Sequence, residues 1–81
     1  MNEFFFLVDE ELSYLTGWLQ KFVKTRNDKV ESFRGIEQLY EKARKVEGEF
    51  DCVMVFVRRE DINKVNARQL GEECFVVEIM A

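Results

Sequence analysis

Two short segments of the chain, residues 4–8 and 52–57, are apolar at every position. Strands of a parallel sheet that is covered by helices on both faces show this uninterrupted apolar pattern. Helix-like sequence separates the two segments. We therefore predict that they are the central strands of an α/β sheet.

A helix is predicted directly after the first strand. Asp9 stands in an N-cap position, and Glu10 and Glu11 follow in the first turn, where acidic side chains favour the helix dipole. Apolar residues then recur at helical spacing: Leu12, Leu15, Trp18, Leu19, Phe22 and Val23. This pattern predicts a helix over residues 10–25.

Residues 26–35 allow two interpretations. In the favoured one, residues 29–33 form a short edge strand, and Ser32 or a neighbour caps a helix that ends before Gly48. In the other, Asp28 and Glu31 form a capping box and a single helix runs over residues 29–46. We favour the strand, since central strands covered on both faces need helices on both sides of the sheet.

The polar stretch after the second apolar segment is too long for a bare loop. Asp61 is predicted to cap a short helix that ends near Gly71. Residues 74–80 are typical of an edge strand, because Glu78 places a charge in an otherwise apolar run.

These elements predict one compact α/β domain over residues 1–81. Its sheet would have four mostly parallel strands in the order 2-1-3-4, with helices on both faces. The alternative is an α+β fold, in which a helical hairpin packs on a three-stranded sheet. One apolar face of that sheet would then need burial in an oligomer.

The amino-acid composition excludes several kinds of catalytic and metal site. The 81 residues include no histidine, two cysteines and four glycines, so the usual general base and a four-ligand zinc site are both missing. No glycine-rich phosphate-binding motif occurs. We therefore expect no cofactor and no enzymatic activity. A weaker hypothesis is a cation-dependent enzyme, in which the carboxylates of Asp9 and Asp61 bind the cation.

Charge and hydropathy indicate the expected location. The net charge is -4, and no apolar run approaches the roughly 20 residues that cross a bilayer. The N-terminal segment lacks the basic start and the cleavage site of a signal peptide. We expect a cytoplasmic protein that does not contact membranes, with both cysteines as free thiols.

The predicted first helix carries a candidate partner-binding face. Gly17 lies opposite the apolar stripe, at a position where alanine would favour the helix more. Tyr14, Trp18 and Lys21 lie on the same side. Another chain could approach the backbone closely at Gly17 and contact the aromatic side chains.

Nucleic-acid binding is an alternative function. Its candidate residues are the basic side chains Arg58, Arg59, Lys64 and Arg68. Acidic residues interrupt this segment, and no aromatic side chain is available within it for base stacking. The favoured hypothesis is therefore a small non-enzymatic interaction protein, a homodimer, which binds a protein partner and regulates or inhibits it.

Overall fold

The computed structural model describes residues 3–23 and 28–80. Four strands form its sheet: β1 (Phe4–Asp9), β2 (Lys29–Phe33), β3 (Cys52–Arg58) and β4 (Cys74–Ile79). Their order is β2-β1-β3-β4 and all three pairings are parallel. The predicted α/β class and strand order are confirmed. The helical hairpin is wrong, because residues 29–33 pair with β1.

Within the described residues, two α-helices and four 3-10 helices connect or flank the strands. The α-helices are α1 (Tyr14–Leu19) and α2 (Gly35–Lys45). The 3-10 helices are Glu10–Leu12, Gln20–Phe22, Arg59–Lys64 and Ala67–Gln69. No helix in the described part of the chain is long and apolar enough to span a membrane.

The first helical segment is shorter and less regular than predicted. Asp9 is the expected cap, since its Oδ1 accepts a hydrogen bond of 2.9 Å from the backbone N–H of Glu11. However, α-helix covers only six residues, between two 3-10 turns. The predicted residues 24 and 25 of this helix, and residues 26 and 27 beyond it, lie outside the described residues.

The side chain of Asp28 connects two strands of the sheet and does not cap a helix. Its buried carboxylate accepts a hydrogen bond of 2.9 Å from the backbone N–H of Phe4, which ties the start of β1 to the entry of β2. The N-cap of α2 is Arg34, not Ser32. The backbone N–H of Arg34 donates to Oε1 of Gln38, four residues later, at 2.7 Å, so a side chain of the first helical turns satisfies this N–H.

Alternation along β1 creates two separate cores. Phe5 and Leu7 point to the face covered by α2, where they pack with Leu39 and Leu70. Phe6 and Val8 point to the face covered by α1 and belong to the second cluster, which comprises buried Phe6, Val8, Leu12, Leu19 and Phe56. β1 is consequently buried on both faces, as its apolar sequence predicts.

The two faces are covered unequally. The connections from β2 to β3 and from β3 to β4 both step across the sheet in the same direction, so right-handed crossovers put them on one face. Leu39 of α2 and Ile62 and Leu70 of the last connection do share one cluster. In the part of the chain that the structure describes, the opposite face carries α1 and its flanking turns alone.

Gly35 provides the first test of the fold. Its φ of +79° lies in the left-handed region, and nothing within 4 Å would obstruct a Cβ. We expect Gly35→Ala to lower the free energy of unfolding by about 1 kcal/mol through backbone strain alone, measured by urea denaturation. The matched control is Gly17→Ala, which lies in α1 with open space around it. That change should stabilise the protein by about 0.5–1 kcal/mol.

Candidate functional site

An apolar groove runs between the α1 segment and the sheet. It has a volume of about 430 Å³. Its lining consists only of apolar side chains: Phe4, Phe6, Trp18, Leu19, Phe22, Met54 and Phe56. Among the described residues, no charged or hydrogen-bonding side chain lies in the lining except the indole of Trp18. We call this surface the aromatic groove.

The floor of the aromatic groove follows from the sheet register. Phe4 and Phe6 are alternate residues of β1, so both point to the α1 face, and Met54 of β3 lies beside Phe6. The rings of Phe4 and Phe6 stack with centroids 6.0 Å apart. Phe56 continues this layer, with its ring 6.4 Å from Phe6.

The wall of the groove is a pair of aromatic side chains. Trp18 and Phe22 are four residues apart, and their rings meet edge to face with centroids 4.8 Å apart. Trp18 is 52% exposed and Phe22 is 45% exposed. Both side chains belong to the predicted apolar stripe but are only partly covered, because Leu12 and Leu19 alone of the described stripe residues are buried and α1 ends at Leu19.

The predicted partner-binding face is present as an exposed surface beside the groove. Tyr14 is 61% exposed, Lys21 is exposed, and an added Cβ at Gly17 would meet nothing within 4 Å. Trp18 belongs both to this face and to the groove wall, whereas Tyr14 does not line the groove. Trp18 is therefore the residue at which the predicted face and the observed groove meet.

Sequence reasoning missed most of the groove. Phe4, Phe6, Met54 and Phe56 were assigned only to the centre of the sheet. The available signal was the strand order, since right-handed crossovers in the order 2-1-3-4 place a single connection over the α1 face. One short helix cannot cover four strands.

The apolar surface extends beyond the groove to the edge of the sheet. Met54 of β3 lies beside Phe75 of β4 in the register, so Phe75 shares the α1 face. Its side chain is 56% exposed. Val30, Phe6, Met54 and Phe75 thus form an apolar row across all four strands.

A charged cluster lies where β1 and β3 end. Nε and Nη2 of Arg58 are each 2.9 Å from Oδ2 of Asp61, and Lys64 Nζ is 3.3 Å from Oδ1 of the same carboxylate. Arg58 Nε also lies 3.8 Å from Oδ2 of Asp9. The prediction that Asp61 caps a helix is wrong, because the N-cap is Arg58 and Asp61 turns inward to these cations.

The electrostatics of this cluster disfavour a metal ion. Burial raises the pKa of Asp61, but hydrogen bonds from Lys64 and Arg58 outweigh this effect and the pKa falls below its ordinary value. The guanidinium of Arg58 occupies the position between Asp9 and Asp61 where a cation would bind. Within residues 3–23 and 28–80, no three acidic, histidine or cysteine side chains group into a metal site.

The other basic candidates are dispersed. Arg59 Nε lies 3.9 Å from Glu78 Oε1, and Arg58 Nη1 lies 3.4 Å from Glu60 Oε1. Arg68 is exposed on the 3-10 helix Ala67–Gln69 and has no ion pair among the described residues. Three of the four predicted nucleic-acid contacts therefore already face a carboxylate, which weakens their attraction for phosphate.

The two cysteines lie in neighbouring strands but on opposite faces of the sheet. Cys52 precedes Val53, which is the register partner of Cys74, and Cys74 packs against the α2-side cluster. Both thiols are free. Burial raises the pKa of both, that of Cys74 to about 11, so neither is an activated nucleophile.

Comparisons with protein-family models, with curated proteins and with solved structures give no match to this chain.

The pH dependence of stability tests the charged cluster. Because folding lowers the pKa of Asp61, its carboxylate stabilises the folded state above the ordinary value of 3.8, and this contribution is lost as the pH falls below it. We expect Asp61→Asn to lower the free energy of unfolding at pH 7, measured with urea. The difference from wild type should shrink as the pH falls from 3.8 through the lowered pKa of Asp61 in the folded state. The exposed change Glu41→Gln should have no effect at either pH.

Thiol reactivity tests the assignment of Cys74. With a pKa of about 11, its thiolate fraction at pH 8 is about 100-fold below that of a thiol with the ordinary value of 9.0. We therefore expect Cys74 in a Cys52→Ser variant to be alkylated by iodoacetamide about 100-fold more slowly when folded than in urea. Equal rates in both conditions would contradict the assignment.

Proposed function

We propose that this protein is a non-enzymatic binding domain that docks an amphipathic helix of another protein in the aromatic groove. The observation that carries the proposal is the lining, in which seven apolar side chains, four of them phenylalanine, are grouped on one face. Small proteins seldom leave such a grouped apolar surface in water unless a partner covers it.

The shape of the groove favours a helix as the occupant. Trp18 of α1 and Phe22 of the following 3-10 turn form an exposed aromatic ridge, and a ridge of side chains can pack against the surface of a neighbouring helix. On this face the sheet beyond α1 carries no helix of its own among the described residues. A partner helix beside α1 would cover the strands just as α2 covers the opposite face.

A small-molecule ligand fits less well. Ligand pockets usually combine an apolar lining with a few polar groups that orient the ligand. Of the described side chains that line the aromatic groove, the Trp18 indole alone offers an N–H for that purpose. A helix needs no such groups, because its backbone hydrogen bonds are satisfied internally and its apolar side chains alone contact the groove.

A domain of this kind acts by covering a surface of its partner. We therefore propose that it regulates or inhibits the partner in the cytoplasm. Support for this role comes from the protonated thiols, the Arg58 guanidinium between the two aspartates and the apolar groove, none of which supplies catalytic chemistry.

Site-specific photo-crosslinking in a cell lysate tests the proposal. A photoreactive phenylalanine analogue would replace Phe22 in the groove wall, or Glu41 on the exposed side of α2 as a control. We expect the Phe22 probe alone to capture a defined partner segment. That segment should carry apolar residues at intervals of three and four, since this spacing forms the apolar face of a helix.

A synthetic peptide of the captured segment gives the quantitative test. Its binding should shift Trp18 fluorescence to shorter wavelength, because the indole becomes buried. Phe22→Ala should weaken binding at least about 10-fold, as expected of an aromatic anchor. Tyr14→Ala is the matched control, since Tyr14 is also an exposed aromatic side chain but lies outside the groove, and it should change binding less than about 2-fold. Equal losses in both variants, or capture only at Glu41, would contradict the proposal.

A further inference from the structure

We propose that the outer edge of β4 pairs with β4 of a second copy of this chain, antiparallel and across a two-fold axis, to form a continuous eight-stranded sheet. β4 is an edge strand with little cover from the rest of the fold. None of its six residues is fully buried, whereas five of the six residues of β1 are. The proposal concerns the edge of the sheet and stands apart from the groove and its partner helix.

The backbone geometry identifies which groups of β4 remain open. The N–H of Val53 in β3 donates to the carbonyl of Glu73 at 2.9 Å, and Val53 is in register with Cys74. In a parallel ladder this bond directs the N–H and C=O groups of Phe75 and Val77 toward β3. The groups of Cys74, Val76 and Glu78 therefore point away from the sheet.

These outward groups are symmetric about Val76. In an antiparallel pair centred on Val76, the two Val76 residues exchange two hydrogen bonds, and each Cys74 exchanges two with Glu78 of the second copy. Every outward group of β4 is then paired, with six hydrogen bonds in total by this geometry. The strand is thus complementary to itself, as an isologous two-fold interface requires.

Side chains agree with this register. Side chains alternate between the two faces along a strand, so Phe75 and Val77 both lie on the α1 face. In the register centred on Val76, Phe75 of one copy lies opposite Val77 of the other. The exposed ring of Phe75 gains an apolar neighbour. The two Glu78 carboxylates lie roughly 13 Å apart along the edge, beyond the Debye length at physiological salt.

The opposite edge of the sheet is not equivalent. Lys42 of α2 donates from Nζ to the backbone carbonyl of Ser32 in β2 at 2.7 Å and lies 3.4 Å from Oε1 of Glu31. β2 also exposes Lys29 and Glu31. Charged side chains at an edge oppose the addition of another strand. β4 carries one such charge, Glu78, near its end, whereas β2 carries two and its Ser32 carbonyl already accepts from Lys42. Pairing between copies is therefore favoured at β4 over β2.

Sedimentation equilibrium from about 1 µM to about 1 mM protein tests the proposal. We expect the mass to rise from 9.7 kDa toward twice that value, with a dissociation constant in this range because a single strand edge is a small interface. Hydrogen exchange locates the contact. The amides of Cys74, Val76 and Glu78 should become protected as the concentration rises, while those of Phe75 and Val77 are protected throughout.

Val76→Pro removes an outward N–H without removing a bond to β3, a position where edge strands accept proline. It should weaken dimerisation at least about 10-fold. Val76→Ala keeps the N–H and should change dimerisation less than about 3-fold. Phe75→Lys is a second variant, which should also weaken dimerisation because it removes the apolar contact and leaves the backbone unchanged.

A constant mass of one chain up to 1 mM would overturn the proposal. A dimer in which exchange at Cys74, Val76 and Glu78 is independent of concentration would overturn it as well. Failure of the proposed function would look different. Phe22→Ala should leave the dimer intact, and Val76→Pro should leave peptide binding in the aromatic groove intact, so each result bears on one surface only.

Discussion

The handedness of parallel crossovers is the constraint on which this structure depends. Once β1 is central and β2 lies at one edge, the remaining two connections must both step toward the other edge. They cover the same face, where α2 and the residues between β3 and β4 build the larger core. The other face is left to a helix of six residues. The aromatic groove is thus a consequence of topology and not of a local irregularity.

Much of this architecture could be predicted because it depends on patterns that span several residues. The continuous apolar runs at β1 and β3 require helices on both sides, and that requirement alone decided between a strand and a helix at residues 29–33. The cap at Asp9 was also predictable, since residue type and position agree there.

The predictions that were wrong concern positions where a single residue determines the local structure. β3 continues to Arg58, so Asp61 falls inside the next turn and binds Arg58 and Lys64, although its type suits an N-cap. An arginine three residues before an aspartate was the available signal for that pair. Trp18 and Phe22 fit the helical stripe, but a stripe does not reveal how long its helix is or how much of the sheet it reaches. The site was therefore only partly predictable, through Trp18.

The hydrogen bond from Lys42 to the carbonyl of Ser32 has a consequence for the protein at high concentration. If both edge strands of a sheet can pair with another copy, copies can add at both edges without limit and form a filament. If copies pair through β4 as proposed, the charge of Lys42 at β2 opposes addition at the other edge, and assembly through a two-fold axis closes after a single addition. In that assembly, Lys42 of α2 would oppose growth of the sheet into a filament.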